Sequence, residues 1–296
     1  MIMKPFLAPI LMAGCLTGAD PQWITDAGGV VLRDNSGGIT GVDLRSSWVT
    51  DSDLAEVAKI PNLKTVDLSL SRVTDRGLRA LRPATSIVSL NLYFAELITD
   101  EGLSIIKGSK HLKRLNVRGT KATDTTLEFV SSIPTIESLD IGYAEITDVG
   151  LDRLTSLTNL RELTIGGNKL TDAGVHLLRQ LPQLTYLDVG GSQRTDSGLW
   201  SVTLTDVGVE SIATLSELKE LRMAGTGVSA RSLEKLKSLE KLERLLLQNC
   251  KRVGDDSIAV LSTFPALRVI DVYGTSVTAQ GVAELRKNLP KAQILH

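Results

Sequence analysis

From Ile39 onward the chain carries one hydrophobic pattern again and again. An apolar triplet spaced as in Leu160, Leu163 and Ile165 is followed by apolar residues at wider spacing, as in Val175, Leu178 and Leu181. The triplet occurs ten times: Ile39/Val42/Leu44, Leu63/Val66/Leu68, Ile87/Leu90/Leu92, Leu112/Leu115/Val117, Ile136/Leu139/Ile141, Leu160/Leu163/Ile165, Leu184/Leu187/Val189, Leu218/Leu221/Met223, Leu242/Leu245/Leu247 and Leu267/Ile270/Val272. Its last two residues alternate at period two, which turns them to one face of a short strand. The wider spacing has a helical period. The pattern therefore predicts strand, turn and helix, repeated.

Between strand and helix stands a Thr-Asp-x-Gly step or a degraded form of it. Its first residues are Thr50, Thr74, Thr99, Thr123, Thr147, Thr171, Thr195, Thr205, Ser229, Gly254 and Thr278, with gaps of 24, 25, 24, 24, 24, 24, 10, 24, 25 and 24. Self-similarity at this period marks a solenoid, whose units bury their apolar faces only by stacking on neighbours. A Thr or Asp here can accept hydrogen bonds from the free amides of the first helical turn, so the step reads as a helix cap. Six prolines, Pro61, Pro83, Pro134, Pro182, Pro265 and Pro290, fall between helix and next strand, where the chain must stop being helical.

The phrases Leu-Asp-Val-Gly-Gly (187–191), Leu-Thr-Asp-Ala-Gly-Val (170–175) and Leu-Gln-Asn-Cys-Lys-Arg-Val-Gly-Asp-Asp-Ser-Ile (247–258) resemble the cysteine-containing, ribonuclease-inhibitor-like leucine-rich repeats, in a bacterial type with Thr-Asp-x-Gly-Leu repeats. The resemblance runs over roughly residues 28–296. It implies an α/β horseshoe with a parallel concave sheet and convex helices, and a role as a binding scaffold.

An unbroken period leaves no linker, so residues 20–296 are expected to form a single repeat domain. A cap of about 23–38 would precede about ten repeats over 39–290, and a partial cap would occupy 291–296. Gly29–Asp34 alternates as a strand and Asn35-Ser36-Gly37-Gly38 is a turn, which predicts a hairpin over the first sheet edge. Residues 1–19 carry Lys4, an apolar stretch from Phe6 to Ala13 and then Leu-Met-Ala-Gly-Cys. They are placed like a secretory signal. The ending resembles a bacterial lipobox, which would make Cys15 an acylated first residue; cleavage after Thr17-Gly18-Ala19 and an uncleaved cytosolic start are the alternatives. Export would put the protein in the periplasm, outer membrane or cell surface, and an uncleaved start in the cytoplasm. Membrane attachment is expected only through a lipidated N-terminus, and the chain is expected to be a monomer.

Lys and Arg total 33 against 34 Asp and Glu, a net charge of −1, so no general attraction to nucleic acid follows. The three histidines, at 111, 176 and 296, fall in different parts of the repeat, and no pair has metal or catalytic spacing. Gly225-Thr-Gly227-Val-Ser-Ala230 has the outline of a dinucleotide loop, but Gly225 is the repeat equivalent of Gly167, Gly191 and Gly274. No cofactor, metal or enzymatic role is expected. Cys250 occupies the position of Asn168, Ser192, Thr226 and Thr275, which predicts a buried structural thiol.

Two irregularities suggest where a partner binds. Residues alternating with the strand leucines face the concave side, and their central column reads Asp43, Asp67, Asn91, Asn116, Asp140, Thr164, Asp188, Arg222, Leu246, Asp271. Beside it Tyr93 and Phe94 meet Arg118, with Arg114 close by and Tyr143 and Tyr186 further along. Tyr and Arg are the types that dominate binding energies, and Tyr93 and Arg118 are placed to stack. The second irregularity is the ten-residue gap. Thr195 and Thr205 both carry helix-start signals, which predicts a slipped partial duplication extruded on the outer side with Trp200 exposed. The expected function is a non-enzymatic scaffold for a protein or peptide. An intracellular adaptor of the ubiquitin-ligase receptor kind and a glycan-binding surface protein are the alternatives.

Overall fold

The computed structural model describes residues 21–296. Its frame is a twelve-stranded sheet. The strands are β1 (Val30–Arg33), β2 (Ile39–Asp43), β3 (Thr65–Asp67), β4 (Ser89–Asn91), β5 (Arg114–Asn116), β6 (Ser138–Asp140), β7 (Glu162–Thr164), β8 (Tyr186–Asp188), β11 (Glu220–Arg222), β12 (Arg244–Leu246), β13 (Val269–Asp271) and β14 (Gln293–Leu295), in that spatial order. A separate antiparallel pair, β9 (Ser192–Thr195) and β10 (Gly198–Ser201), interrupts the chain order. From β2 onward every neighbour in the large sheet is parallel, whereas β1 runs antiparallel to β2 and lies along its outer edge.

Pairing follows the repeat without slippage. Leu115 faces Leu139, Leu139 faces Leu163 and Leu163 faces Leu187. These residues, with the inward-facing apolar residues of the convex helices such as Leu127, Leu151 and Val175, are buried in one continuous core. The sheet is thus covered on one side only, and its other side is the concave face. The convex α-helices of the repeats are short, from four residues at Asp100–Leu103 to ten at Ala279–Asn288. Helices this brief do not persist alone, so packing against the sheet sets their lengths.

The Thr-Asp-x-Gly step does more than cap a helix. The hydroxyls of Thr74, Thr99, Thr123, Thr147, Thr171 and Thr205 each accept from the amide two residues on, and that of Thr278 accepts from Gly281, three residues on. The Asp instead reaches into the following repeat. Asp51, Asp75, Asp100, Asp124, Asp148, Asp172 and Asp255 each accept both the amide and the hydroxyl of the next Thr, namely Thr74, Thr99, Thr123, Thr147, Thr171, Thr205 and Thr278. The amide bonds are 2.8 to 2.9 Å long. The step's Gly makes this possible, because a Cβ at Gly77, Gly102, Gly150, Gly174, Gly208 or Gly281 would strike the carboxylate of the preceding repeat. Where the chain has Thr126 or Ser232 in place of Gly, the hydroxyl donates to that carboxylate, Asp100 or Asp206.

A second ladder runs inside the strand-to-helix turns. Asn168 is fully buried; its amide group donates to the carbonyls of Ile141 and Ile165, and its oxygen accepts from Ile146. Thr226 and Thr275 do part of this work by donating to Met223 and Val272. Cys250 joins them, with its Sγ 3.1 Å from the carbonyl of Met223, and burial pushes its thiol pKa up. Ser192 does not belong to this set, since it begins β9.

Candidate binding surface

At the corner where each strand leaves the sheet, the backbone adopts a left-handed conformation. Ten residues hold this corner: Ser46, Leu70, Phe94, Gly119, Tyr143, Gly167, Gly191, Gly225, Asn249 and Gly274, all with φ between 50° and 96°. Glycine takes half of the positions, as its missing Cβ leads one to expect. Leu70, Phe94 and Tyr143 hold theirs at φ 57°, 50° and 53°, and for a bulky side chain this costs on the order of 1 kcal/mol.

The rings lie down along the repeats. Phe94 covers Gly119, and Tyr143 covers Gly167 and reaches Gly191; a Cβ on any of these three glycines would collide with the ring. Tyr93 and Phe94 meet edge to face at 4.7 Å between centroids, and Phe94 stands 6.5 Å from Tyr143. The Arg118 guanidinium stacks over Tyr143 at 4.4 Å, two repeats beyond the Tyr93 partner that spacing suggests. Arg118 also lies 3.9 Å from Asp140. Further along, Arg222 lies over Tyr186 at 5.4 Å and pairs with Glu220 at 2.6 Å. Arg114 is exposed on β5.

The central column of the concave face proves to be a row of turn caps. Asp43, Asp67, Asn91, Asn116, Asp140, Asp188 and Asp271 each accept, through one side-chain oxygen, the amide two residues ahead. Asp and Asn serve equally well in this role, because only one oxygen is needed. Burial among the neighbouring strands raises the pKa of Asp140 to about 6, against the pull of Arg118, and raises that of Asp188 as well.

The strand-exit side adds apolar residues that the triplet pattern does not mark. Trp48 is 84% exposed, Leu70 54% and Leu97 46%, and they stand in three consecutive repeats, with the Leu70 amide donating to the Tyr93 carbonyl. The available signal was positional: Trp48 and Leu97 each lie two residues before a helix-start Thr, where other repeats carry Arg72, Lys121 or Lys169.

The ten extra residues form the β9–β10 hairpin, so the helix-start signal at Thr195 is not used. Thr205 is the successor to Thr171, because Thr205 bonds to Asp172. The hairpin leaves from the strand-to-helix corner and not from the helical side. Gln193 reaches back to donate to the carbonyl of Ala144, and Trp200, half-buried, lies 5.9 Å from the Lys169 ammonium and bonds to Ser197. Leu199 on the other face is 66% exposed. The Trp200 hairpin and the Tyr143 corner therefore adjoin, while Tyr186 stands on the sheet itself. Cys15 and the whole 1–19 segment lie outside the described residues.

Among the described residues no three His, Cys, Asp or Glu converge on a possible metal position. No helix in the described part is long and apolar enough to cross a membrane. His176 Nδ1 lies 3.4 Å from Ser211 Oγ on the convex side, away from the aromatic corner.

Comparison with known proteins agrees with this geometry. The family described as Leucine Rich repeat matches at residues 59–81, 132–154 and 156–178. An internalin, inlF, from Listeria monocytogenes superposes with a TM-score of 0.56 at 23% identity over 81% of this chain and 69% of that one. Internalin C2 of the same organism gives 0.51 at 23% identity over 86% and 90%. A Caenorhabditis elegans protein, EEED8.10, named as a candidate RNA-binding protein, is 36% identical over 74 residues; these are 25% of this chain and only 10% of that protein's length. The recurrent strand, left-handed corner and capped helix, shared in fold with the internalins, give this chain the α/β fold of a leucine-rich repeat solenoid.

Proposed function

We propose that the chain is a non-enzymatic scaffold that holds a protein or peptide partner on its concave face, around Tyr93, Phe94, Arg114, Arg118, Tyr143 and Tyr186. One observation carries the reading: bulky rings occupy left-handed corners in which glycine would be free of strain, and they lie over glycines that leave them room. Strain of this kind persists where it positions a surface for use. The stacked Arg118 and Tyr143 are already ordered, so little side-chain freedom is lost on binding. The β9–β10 hairpin with Trp200 extends the same surface.

RNA is the weaker alternative, although one relative's name mentions it. Asp43, Asp67, Asp140, Asp188 and Asp271 line the middle of the concave face, and a phosphate backbone would meet them. Residues 1–19 read as an export signal with Cys15 as its lipid attachment point. This would place the scaffold outside the cytoplasm, and the intracellular adaptor is the competing location.

The test is a partner captured from the native host with the full chain as bait. Tyr93→Ala with Phe94→Ala should leave the circular dichroism spectrum unchanged and weaken that partner by at least about tenfold; unchanged affinity would sink the assignment. Mass spectrometry of the mature N-terminus decides export separately. An acylated Cys15 supports anchoring, and an intact Met1 removes it.

A further inference from the structure

The central concave column changes character beside the aromatic corner. It reads Asp43 and Asp67, then Asn91 and Asn116, then Asp140. Both asparagines cap the same turn that the aspartates cap, with oxygens 3.2 Å from the Tyr93 amide and 2.9 Å from the Arg118 amide. Capping does not require the change of type, since Asp140 and Asp188 do the same work at 2.9 Å. Asn91 also donates its amide to the Asp67 carboxylate at 2.9 Å, and the consequence common to both asparagines is electrostatic: two negative charges are missing from the strands that lead into Tyr93, Phe94 and Arg118.

Cations surround the gap. Arg114 is exposed on one side of it, and Arg72 and Lys121 are exposed on the strand-exit rim. Among the described residues none of these three lies within ion-pair distance of a carboxylate, and Arg118 has only Asp140 at 3.9 Å. Two exposed acids share this rim, Glu96 beside Leu97 and Glu145 one repeat beyond Lys121, against the three cations. Exposed Leu70 and Leu97 adjoin the rings. The corner is thus apolar at its centre and positive around it, between the acidic column positions Asp67 and Asp140.

Resting on the scaffold reading above, we propose that the corner between β4 and β5 recognises an acidic peptide segment with apolar anchors. The anchors pack on Tyr93, Phe94 and Leu70, and the flanking carboxylates pair with Arg114, Arg118 and Lys121. Arg is suited to two-pronged contact with a carboxylate, and exposed unpaired cations steer an acidic partner toward the surface.

Two short synthetic peptides decide the charge. They share the same Leu and Trp positions and differ only in carrying Glu or Lys between them. Each is titrated into the isotope-labelled full chain while the backbone amides are followed by NMR. The Glu peptide should shift the amides of 91–94 and 114–119 and bind at least about tenfold tighter than the Lys peptide. Arg114→Glu should abolish the difference, Arg114→Gln should halve the salt sensitivity, and neither should alter the spectrum elsewhere. Equal or tighter binding of the Lys peptide at these amides overturns the charge assignment and leaves the scaffold reading standing. A single-stranded oligonucleotide that shifts the same amides at physiological salt overturns the peptide assignment. Silence of these amides toward both peptides also overturns it, and the Tyr93→Ala, Phe94→Ala capture experiment then decides the scaffold reading by itself.

Discussion

The amide and the hydroxyl of Thr147 both donate to the carboxylate of Asp124, 23 residues earlier, at 2.9 and 2.6 Å. The bond joins two repeats and at the same time fixes the start of a helix. Asp124→Ala would leave a part-buried amide and hydroxyl without their acceptor. It should lower the unfolding free energy by about 1 to 3 kcal/mol, measured by urea denaturation. An equal loss from Asp152→Ala, an exposed carboxylate outside the ladder, would show that the Asp124 contact has no special weight.

Gly150 offers a sharper version. Ala in an exposed helix is ordinarily better than Gly by about 0.5 to 1 kcal/mol. Here a Cβ would strike Asp124, so Gly150→Ala should destabilise the protein. Gly150→Ser should be milder, since Ser232 and Thr126 hold the equivalent place by donating to the carboxylate. Combined with Asp124→Ala, the Gly150→Ala penalty should largely vanish in a double-mutant cycle.

Asp140 predicts a pH dependence. Its pKa is about 6 in the folded chain against an ordinary 3.8, so the folded state binds the proton more tightly. Stability therefore falls as pH rises from about 4 to about 6, and ionised Asp140 opposes folding above that window. Asp140→Asn keeps the turn cap, as Asn116 does. It should raise stability above pH 6 by about 1 to 2 kcal/mol and change nothing below pH 4, read from urea midpoints across the range. A gain at low pH instead would reverse the sign of the argument.

Removing Ser192–Ser201 should leave a folded solenoid with an unchanged far-ultraviolet spectrum. Thr205 already bonds to Asp172, so the ladder passes the hairpin by. The loss should be limited to the Gln193–Ala144 bond and the cover over Lys169, within about 1 kcal/mol. Unfolding of the shortened chain would make the hairpin a structural member.

Cys250 should be unreactive in the native state. Its thiol is buried and its pKa is raised, so disulfide-exchange labelling should proceed only at the rate of opening or unfolding. Fast stoichiometric labelling would contradict the packing against Met223.

The solenoid was legible because its signals are local and repeated. Leu163 and Ile165 announce a strand by spacing alone, and Thr147 announces a helix start. The partner of Asp124 was not legible, because a side chain that serves the following repeat looks like an ordinary cap in one dimension. Trp48 and Leu97 escaped for a related reason: they occupy a rim position whose exposure depends on how the strand exits stack. The Arg118–Tyr143 stack likewise depends on a ring lying across glycines of the next two repeats. Thr195 misled because a duplicated signal is indistinguishable from its original until Asp172 chooses between them.

That choice has a consequence for how such a chain tolerates change. Asp172 accepts from Thr205 across 33 residues as readily as its counterparts accept across 23 or 24. Each rung checks only the next and carries no record of the distance travelled. Extra length at one corner is therefore expelled locally and does not accumulate as error, so the strand-exit corner is where this molecule can acquire new sequence without renegotiating its frame.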